Sequence, residues 1–252
     1  GLLAAVMTLS LTFSHGVPVV YADGENITVA SVEKLEELAK NCKLDTWSQG
    51  KTVTLTADLD LTGSDFTSIP TFGGTFDGGG HTISGLTFDG DGANQGFFRY
   101  VQESATVKDL HIEGTLTPTG SKKNIGGLAG SNRVQILSCT FAGTIDAQTN
   151  VGGIVGINEE TGSIYSSSVS GSISGTHSTG GVVGRNLGQI INCSNEAEVN
   201  TGEQEEGTTL SDLNVDTNLN QIASSEEKTE ILNKTTDTGG ICGYSSGIVQ
   251  NC

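Results

Sequence analysis

The phrase NIGGLAGSN at residues 124–132 returns as NVGGIVGIN at 150–158, STGGVVGRN at 178–186 and DTGGICGYS at 237–245. The paired glycines begin at Gly126, Gly152, Gly180 and Gly239, so the first two intervals are 26 and 28 residues and the third, 59, is close to two such units. A repeat of this period signals one structural unit per copy, each stacking its apolar face on the next. The copies share glycine, small aliphatics and Asn, with no shared acid, base or metal ligand. The repeat therefore speaks of architecture before chemistry.

Each copy continues alike. After the glycine segment comes Ile136, Ile164, Ile190 or Val249, and three residues later Cys139, Ser167, Cys193 or Cys252. Two or three short β-branched runs per unit, broken by Gly, Asn and Ser and with no apolar run at helical spacing in 124–199, predict strands joined by turns. Such a unit is too short for a four-stranded propeller blade and lacks the leucine pattern of a horseshoe repeat. One turn of a parallel β-solenoid fits. Coils about 4.8 Å apart would stack equivalent side chains in ladders. Leu128, Ile154, Val182 and Ile241 form the expected inward aliphatic ladder. Asn132, Asn158 and Asn186 form a turn ladder, Asn being tolerant of left-handed backbone and able to bond neighbouring backbone. The glycines around the aliphatic rung would let the backbone bend, or pack where a side chain would collide. They are Gly126, Gly127 and Gly130, then Gly152, Gly153 and Gly156, Gly180, Gly181 and Gly184, and Gly239, Gly240 and Gly243.

This repeat resembles the GLUG motif (Gly-Leu-any-Gly) of bacterial surface proteins and IgA-specific zinc metallopeptidases. GLAG at 127–130 matches it literally, while GIVG at 153–156, GVVG at 181–184 and GICG at 240–243 carry another aliphatic for Leu. FGGTFDGGGHTISGL at 72–86 resembles the early coils of pectin-lyase-like right-handed β-helices on bacterial surfaces. Together the two resemblances cover roughly residues 51–252. They imply an all-β, right-handed parallel β-helix and leave activity to be argued from sites.

Residues 2–13, LLAAVMTLSLTF, are an apolar run too short to span a membrane, and VYA at 20–22 precedes an abrupt change to DGEN. Residues 1–22 read as a truncated secretory signal cleaved after Ala22. The chain then divides into an N-terminal segment, 23–50, and a β-helix, 51–252, that stops inside a fourth copy, as expected of a fragment of a longer exported protein. With 29 acids against 12 bases the net charge is −17, which argues against nucleic acid or anionic lipid as partners. In the N-terminal segment, SVEKLEELAKNC at 31–42 predicts a helix with Ser31 as N-cap and an apolar stripe of Val32, Leu35, Leu38, Ala39 and Cys42. Its expected role is to cap the open first coil, an edge that otherwise invites aggregation. TVTL at 52–55 and DLDL at 58–61 read as the opening strands.

Export would favour disulfides among the five cysteines. The repeat argues for free thiols instead, since Ser167 occupies the position of Cys139, Cys193 and Cys252. Candidate chemistry is sparse. Arginine occurs at Arg99, Arg133 and Arg185, with no carboxylate cluster recurring beside them as a lyase or glycosidase would need. His81 reads as a turn residue, His111 as an outward strand residue and His177 as part of a polar turn, and no His-Glu-x-x-His occurs. Calcium is the one ligand with a local pointer. Asp89 and Asp91 in DGDGAN at 89–94 offer oxygens on a flexible loop, and Asp58 and Asp60 share a strand face, but the EF-hand spacing fails at Tyr100.

The expected function is that of a secreted, cell-surface bacterial repeat protein acting as a non-catalytic scaffold, stalk or adhesin. Its expected partners are a host glycan or surface protein and the remainder of the same polypeptide downstream, with no membrane insertion and no cofactor unless calcium. Two alternatives stand beside it: the non-catalytic N-terminal region of a surface hydrolase such as an IgA-specific zinc metallopeptidase, and a carbohydrate-binding or carbohydrate-degrading β-helix. An acidic insert at about 200–237 interrupts the repeat, and its charge and scarcity of β-branched runs predict a loop outside the solenoid. Limited proteolysis should cut first between residues 202 and 234 and leave the flanking pieces associated. Resistance equal to that of 124–199 would make the insert a folded coil of its own.

Overall fold

A computed structural model describes residues 24–120, 122–201 and 236–252; the signal-like run and most of the acidic insert lie outside them. The chain is an all-β, right-handed parallel β-helix with a short N-terminal helix. Four parallel sheets of eight, seven, six and four strands run along the axis. One coil shows the path. The strand Gln135–Leu137 lies in the eight-stranded sheet, Thr140–Asp146 in the seven-stranded, Thr149–Gly152 in the four-stranded and Val155–Asn158 in the six-stranded. Ser163–Tyr165 then re-enters the first sheet, with Ile164 directly on Ile136.

The repeat units therefore hold four strands and not two or three. The extra strands come from the glycine phrase itself, which is split by a two-residue corner: Lys123–Gly126 lies in the four-stranded sheet and Ala129–Asn132 in the six-stranded. Nor is the 59-residue interval two coils. Thr236–Gly239 pairs directly with His177–Gly180, placing Gly239 on Gly180, so the interval is a single rung carrying an insertion.

Leu128, Ile154 and Val182 are fully buried, as expected, and Ile241 on the last rung is partly buried. Below them Ile136, Ile164 and Ile190 form a second buried ladder. The first coils use aromatics instead. Phe72, Phe76, Phe97 and Phe98 interlock largely edge-on, with the Phe97 and Phe98 centroids 4.8 Å apart. The helix Val32–Asn41 covers this end. Ser31 caps it by accepting from the Lys34 amide, and Leu35, Leu38, Ala39 and Cys42 are buried. The Thr71 hydroxyl donates to the Cys42 carbonyl at 3.0 Å, tying the cap to the six-stranded sheet. An unforeseen strand, Asn26–Val29, precedes the helix and pairs with Thr52–Leu55, so the solenoid begins before its cap.

None of the motif glycines has a positive φ, so they serve space and not backbone angle, except Gly240 on the last rung, where a Cβ would meet nothing within 4 Å. A Cβ on Gly126, Gly152 or Gly180 would stand 2.7, 2.6 or 2.7 Å from the amide nitrogen of Gly156, Gly184 or Gly243 on the next coil. One on Gly127 or Gly153 would stand 2.6 or 2.5 Å from the carbonyl oxygen of Gly153 or Gly181. Gly130 and Gly156 lie equally close to the amides of Gln95 and Ile125 on the preceding coil. The four- and six-stranded sheets thus meet backbone to backbone.

The asparagines divide into two ladders. Asn132, Asn158 and Asn186 are fully buried, and the Asn132 and Asn158 amides each donate at 2.8 Å to the carbonyl of the next. They also bond the chain around the corner, Asn132 Nδ2 donating to the Val134 carbonyl at 2.9 Å. Their backbone is not left-handed, contrary to expectation. That conformation falls to Asn94, Asn124, Asn150, Ser178 and Asp237, before the glycines, and to Asp109, Ser138, Ser166, Asn192 and Asn251 at another corner. The reason lies between coils: side-chain amides donate from Asn124 to Asn94 and from Asn150 to Asn124, at 2.8 and 2.6 Å, and hold a strained turn that Asn tolerates.

The five cysteines are unbridged. Cys139, Ser167 and Cys193 form one rung series in which each Sγ or Oγ donates to the carbonyl two residues earlier, at 3.4, 2.9 and 3.5 Å. Ser167 Oγ also accepts from the Cys139 amide at 3.2 Å. Burial pushes the Cys139 thiol up to about 12, and the Cys42 and Cys193 thiols to about 11.

Two predictions follow from this packing. Gly153→Ala should cost about 3 kcal/mol and Ile154→Asp about 4 kcal/mol in chemical denaturation. Gly90→Ala, where a Cβ meets nothing within 4 Å, should lie within about 0.5 kcal/mol of the parent. An Ile154→Asp protein melting within about a degree of the parent would reject the ladder. The thiols give the second. Unfolded, unreduced protein should titrate for nearly five thiols. Because the folded thiols ionise later than the unfolded ones, stability should fall as pH rises from about 9 towards 12, with a shallower fall in Cys139→Ser.

Candidate functional site

The sequence-derived calcium pair does not assemble into a cage. Asp89 and Asp91 are exposed on the loop after the strand Thr82–Phe88. Their backbone is occupied: Asp91 bridges to Thr119, whose hydroxyl donates to the Asp89 carbonyl at 3.1 Å. Gly120 packs against the Asp91 carboxylate. Asp91 also lines a hollow shared with Lys43 and Arg99, two cations unfavourable to a divalent ion. Among the described residues no three of His, Cys, Asp or Glu are grouped to hold a metal.

The other acids are engaged one at a time. Asp58 and Asp60 flank buried Leu59 and share a face, as expected. Asp58 Oδ1 accepts from the Thr82 amide at 2.9 Å and meets His81 Nδ1 at 3.1 Å, contacts that hold its carboxyl below the usual range. Asp60 Oδ1 accepts from the Thr62 amide at 2.9 Å, and bonds to Thr62 lower its carboxyl likewise. Asp77 is lowered chiefly by the Lys108 ammonium, 2.6 Å away. His111 Nδ1 lies 2.7 Å from Thr140 Oγ1 within the seven-stranded sheet, and His177 opens the strand His177–Gly180. These are local pairs distributed over different corners.

The six-stranded sheet carries a different surface. One rung position runs Thr71, Tyr100, Ser131, Ile157, Arg185, Tyr244. Tyr100 and Tyr244 are 40% and 43% exposed, and the Arg185 guanidinium sits 5.3 Å from the Tyr244 ring centroid. All three arginines belong to this sheet: Arg99 within the strand Phe98–Val101, Arg133 just after Ala129–Asn132, and Arg185 within Val183–Asn186. Beside Tyr100 opens a hollow of about 550 Å³ whose polar walls include Gln49, Gln102, Glu103 and Arg133. Sequence reading missed it. FRYV at 98–101 looks like an ordinary alternating strand, and Gln49 reaches the hollow from a loop about fifty residues away.

The comparisons concern the scaffold. The family model described as the GLUG motif matches residues 147–174 and 175–200. Over 148 residues the chain is 30% identical to halomucin of Haloquadratum walsbyi, covering 52% of this chain and 2% of that protein. A crystal structure described as a putative immunoglobulin A1 protease from Bacteroides ovatus superposes with a TM-score of 0.55 at 16% identity, covering 69% of this chain and 62% of that one. The chain thus spans less than two thirds of either protein, and at 16% identity the structural likeness is one of fold. The chain is a parallel β-solenoid in which residues 147–200 match the GLUG motif.

Proposed function

We propose that the chain is a non-catalytic scaffold segment of an exported surface protein, serving as a stalk or adhesive face. The observation that carries this reading is the recurring glycine corner. It joins coil to coil through backbone contact, and its aliphatic side chains Leu128, Ile154 and Val182 are buried in the stack. Such a unit can be multiplied without new chemistry. The halomucin match supports the reading, because it aligns this chain with a short segment of a much longer polypeptide. Export rests on the signal-like residues 2–13 and the charge of −17. No helix among the described residues is long and apolar enough to cross a membrane.

A second reading draws on the fold likeness to the chain described as a putative immunoglobulin A1 protease. Here the solenoid would be the non-catalytic N-terminal region of a surface hydrolase, with the chemistry elsewhere in the polypeptide. Pulling the chain by its ends separates a load-bearing stack from a soft one. We expect resisting steps that each release one coil, about 26 residues or roughly 90 Å of extended chain. Extension without resistance would sink the stalk. Release of fragments from immunoglobulin A1, or of sugars from polysaccharide, by the purified chain would sink the non-catalytic reading.

A further inference from the structure

We propose that the hollow beside Tyr100 binds a glycan through a carboxylate-bearing sugar, an inference that rests on the adhesive reading above and gives it a site. The hollow brings together three groups with polar or ring surface left over from the fold. The first is the Arg133 guanidinium. Its backbone is fixed on both sides, the amide donating to the Val101 carbonyl at 3.2 Å and the carbonyl accepting from the Thr161 hydroxyl at 2.9 Å. Among the described residues the guanidinium itself has neither an ion pair nor a hydrogen bond. In a chain with 29 acids and 12 bases, an exposed guanidinium with no partner among the described residues is available to an external anion.

The second group is Gln102. Its backbone amide donates to the Phe72 carbonyl at 2.8 Å, while its Oε1 is buried with no hydrogen-bond partner. A buried orphan acceptor is uncommon, and turning the amide towards the hollow would let it pair with a ligand hydroxyl. The third is Tyr100, whose hydroxyl accepts from Asn94 Nδ2 at 2.9 Å, so the ring is held at its polar tip while 40% of the residue stays exposed. A fixed, half-exposed ring is a platform for the apolar face of a sugar. Glu103 and Gln49 add polar atoms at the rim for further hydroxyls.

The guanidinium selects the charge of the ligand. Its planar fork matches a carboxylate with two parallel bonds. Distant charges are screened beyond about 8 Å at physiological ionic strength, so the charges that decide the preference are Arg133, which attracts the anion, and Glu103 in the same hollow, which opposes it. An extended acidic peptide fits less well. The Tyr100 strand is paired on both sides, with Thr71 and Ser131 as its neighbours, so no free strand edge is offered for peptide addition.

Titration calorimetry on the whole 252-residue chain tests the site with 3′-sialyllactose, lactose and hexaglutamate as probes. Sialyllactose should bind, with lactose weaker by at least about tenfold. Arg133→Gln should remove that difference, and Tyr100→Ala should weaken both sugars, while melting temperatures stay at the parent value and Lys34→Ala binds as the parent does. No heat with sialyllactose, equal binding of lactose, hexaglutamate binding as tightly as the sugar, or an unaffected Arg133→Gln would each overturn the proposal. None of those results would alter the stepwise unfolding expected of a scaffold, so the two readings fail separately.

Discussion

The rest of the molecule depends on two layers of backbone lying against each other with nothing between them. At each glycine corner the chain leaves the four-stranded sheet, turns within two residues and enters the six-stranded sheet, and the two sheets stay in main-chain contact. Hydrogen bonds continue through the corner, Gly153 and Ile154 donating to the Gly181 and Val182 carbonyls at 2.9 Å each. A single methyl group would push these layers apart. The buried Leu128, Ile154 and Val182 ladder and the Asn132, Asn158 and Asn186 amides both sit beside that contact, so they would lose packing and hydrogen bonds together. This coupling accounts for the different tolerance within one phrase. The aliphatic rung accepts Leu, Ile or Val, whereas the glycines recur unchanged in all four copies.

The fold was largely legible because its main constraint is written at fixed spacing. The repeated glycines, the aliphatic rung, the Ser167 exchange among cysteines and the capped helix each tie a local residue choice to its place in the stack. What escaped reading depends on contacts between distant residues. NITV at 26–29 is too short to announce a strand until Thr52–Leu55 lies beside it. The left-handed turns at Asn124 and Asn150 are set by amides one coil away, not by the dipeptides around them. Reading 59 residues as two coils assumed that length measures rungs, whereas a coil can carry an insertion and still close on the same register. The candidate site was least legible of all. Its groups come from residues 49, 100, 102 and 133, and only the stacking of coils makes them neighbours.

The first coils and the later ones are built from different materials. The helix and the interlocked phenylalanines make a thick, closed plug over the first coils. Further along, the interior narrows to one or two branched aliphatics per corner, and the amide ladder replaces aromatic packing as the source of register. The large rings supply burial in the coils beneath the helix, and smaller aliphatic side chains fill most of the core of the coils beyond them.

That asymmetry has a bearing on how the chain acquires its structure. Apart from the last rung, which lies 59 residues on because of the insertion, contacts between coils join residues a nearly constant distance apart in sequence, 26 residues from Asn132 to Asn158 and 28 from Asn158 to Asn186. Each coil without an insertion therefore closes a loop of about the same size, and the entropic toll of such a coil does not rise as the stack lengthens. The plugged first coil offers a ready template for the coils that follow it in sequence, so coils can be laid down one after another in chain order. A solenoid of this kind can grow by gene duplication without becoming slower to assemble per unit length.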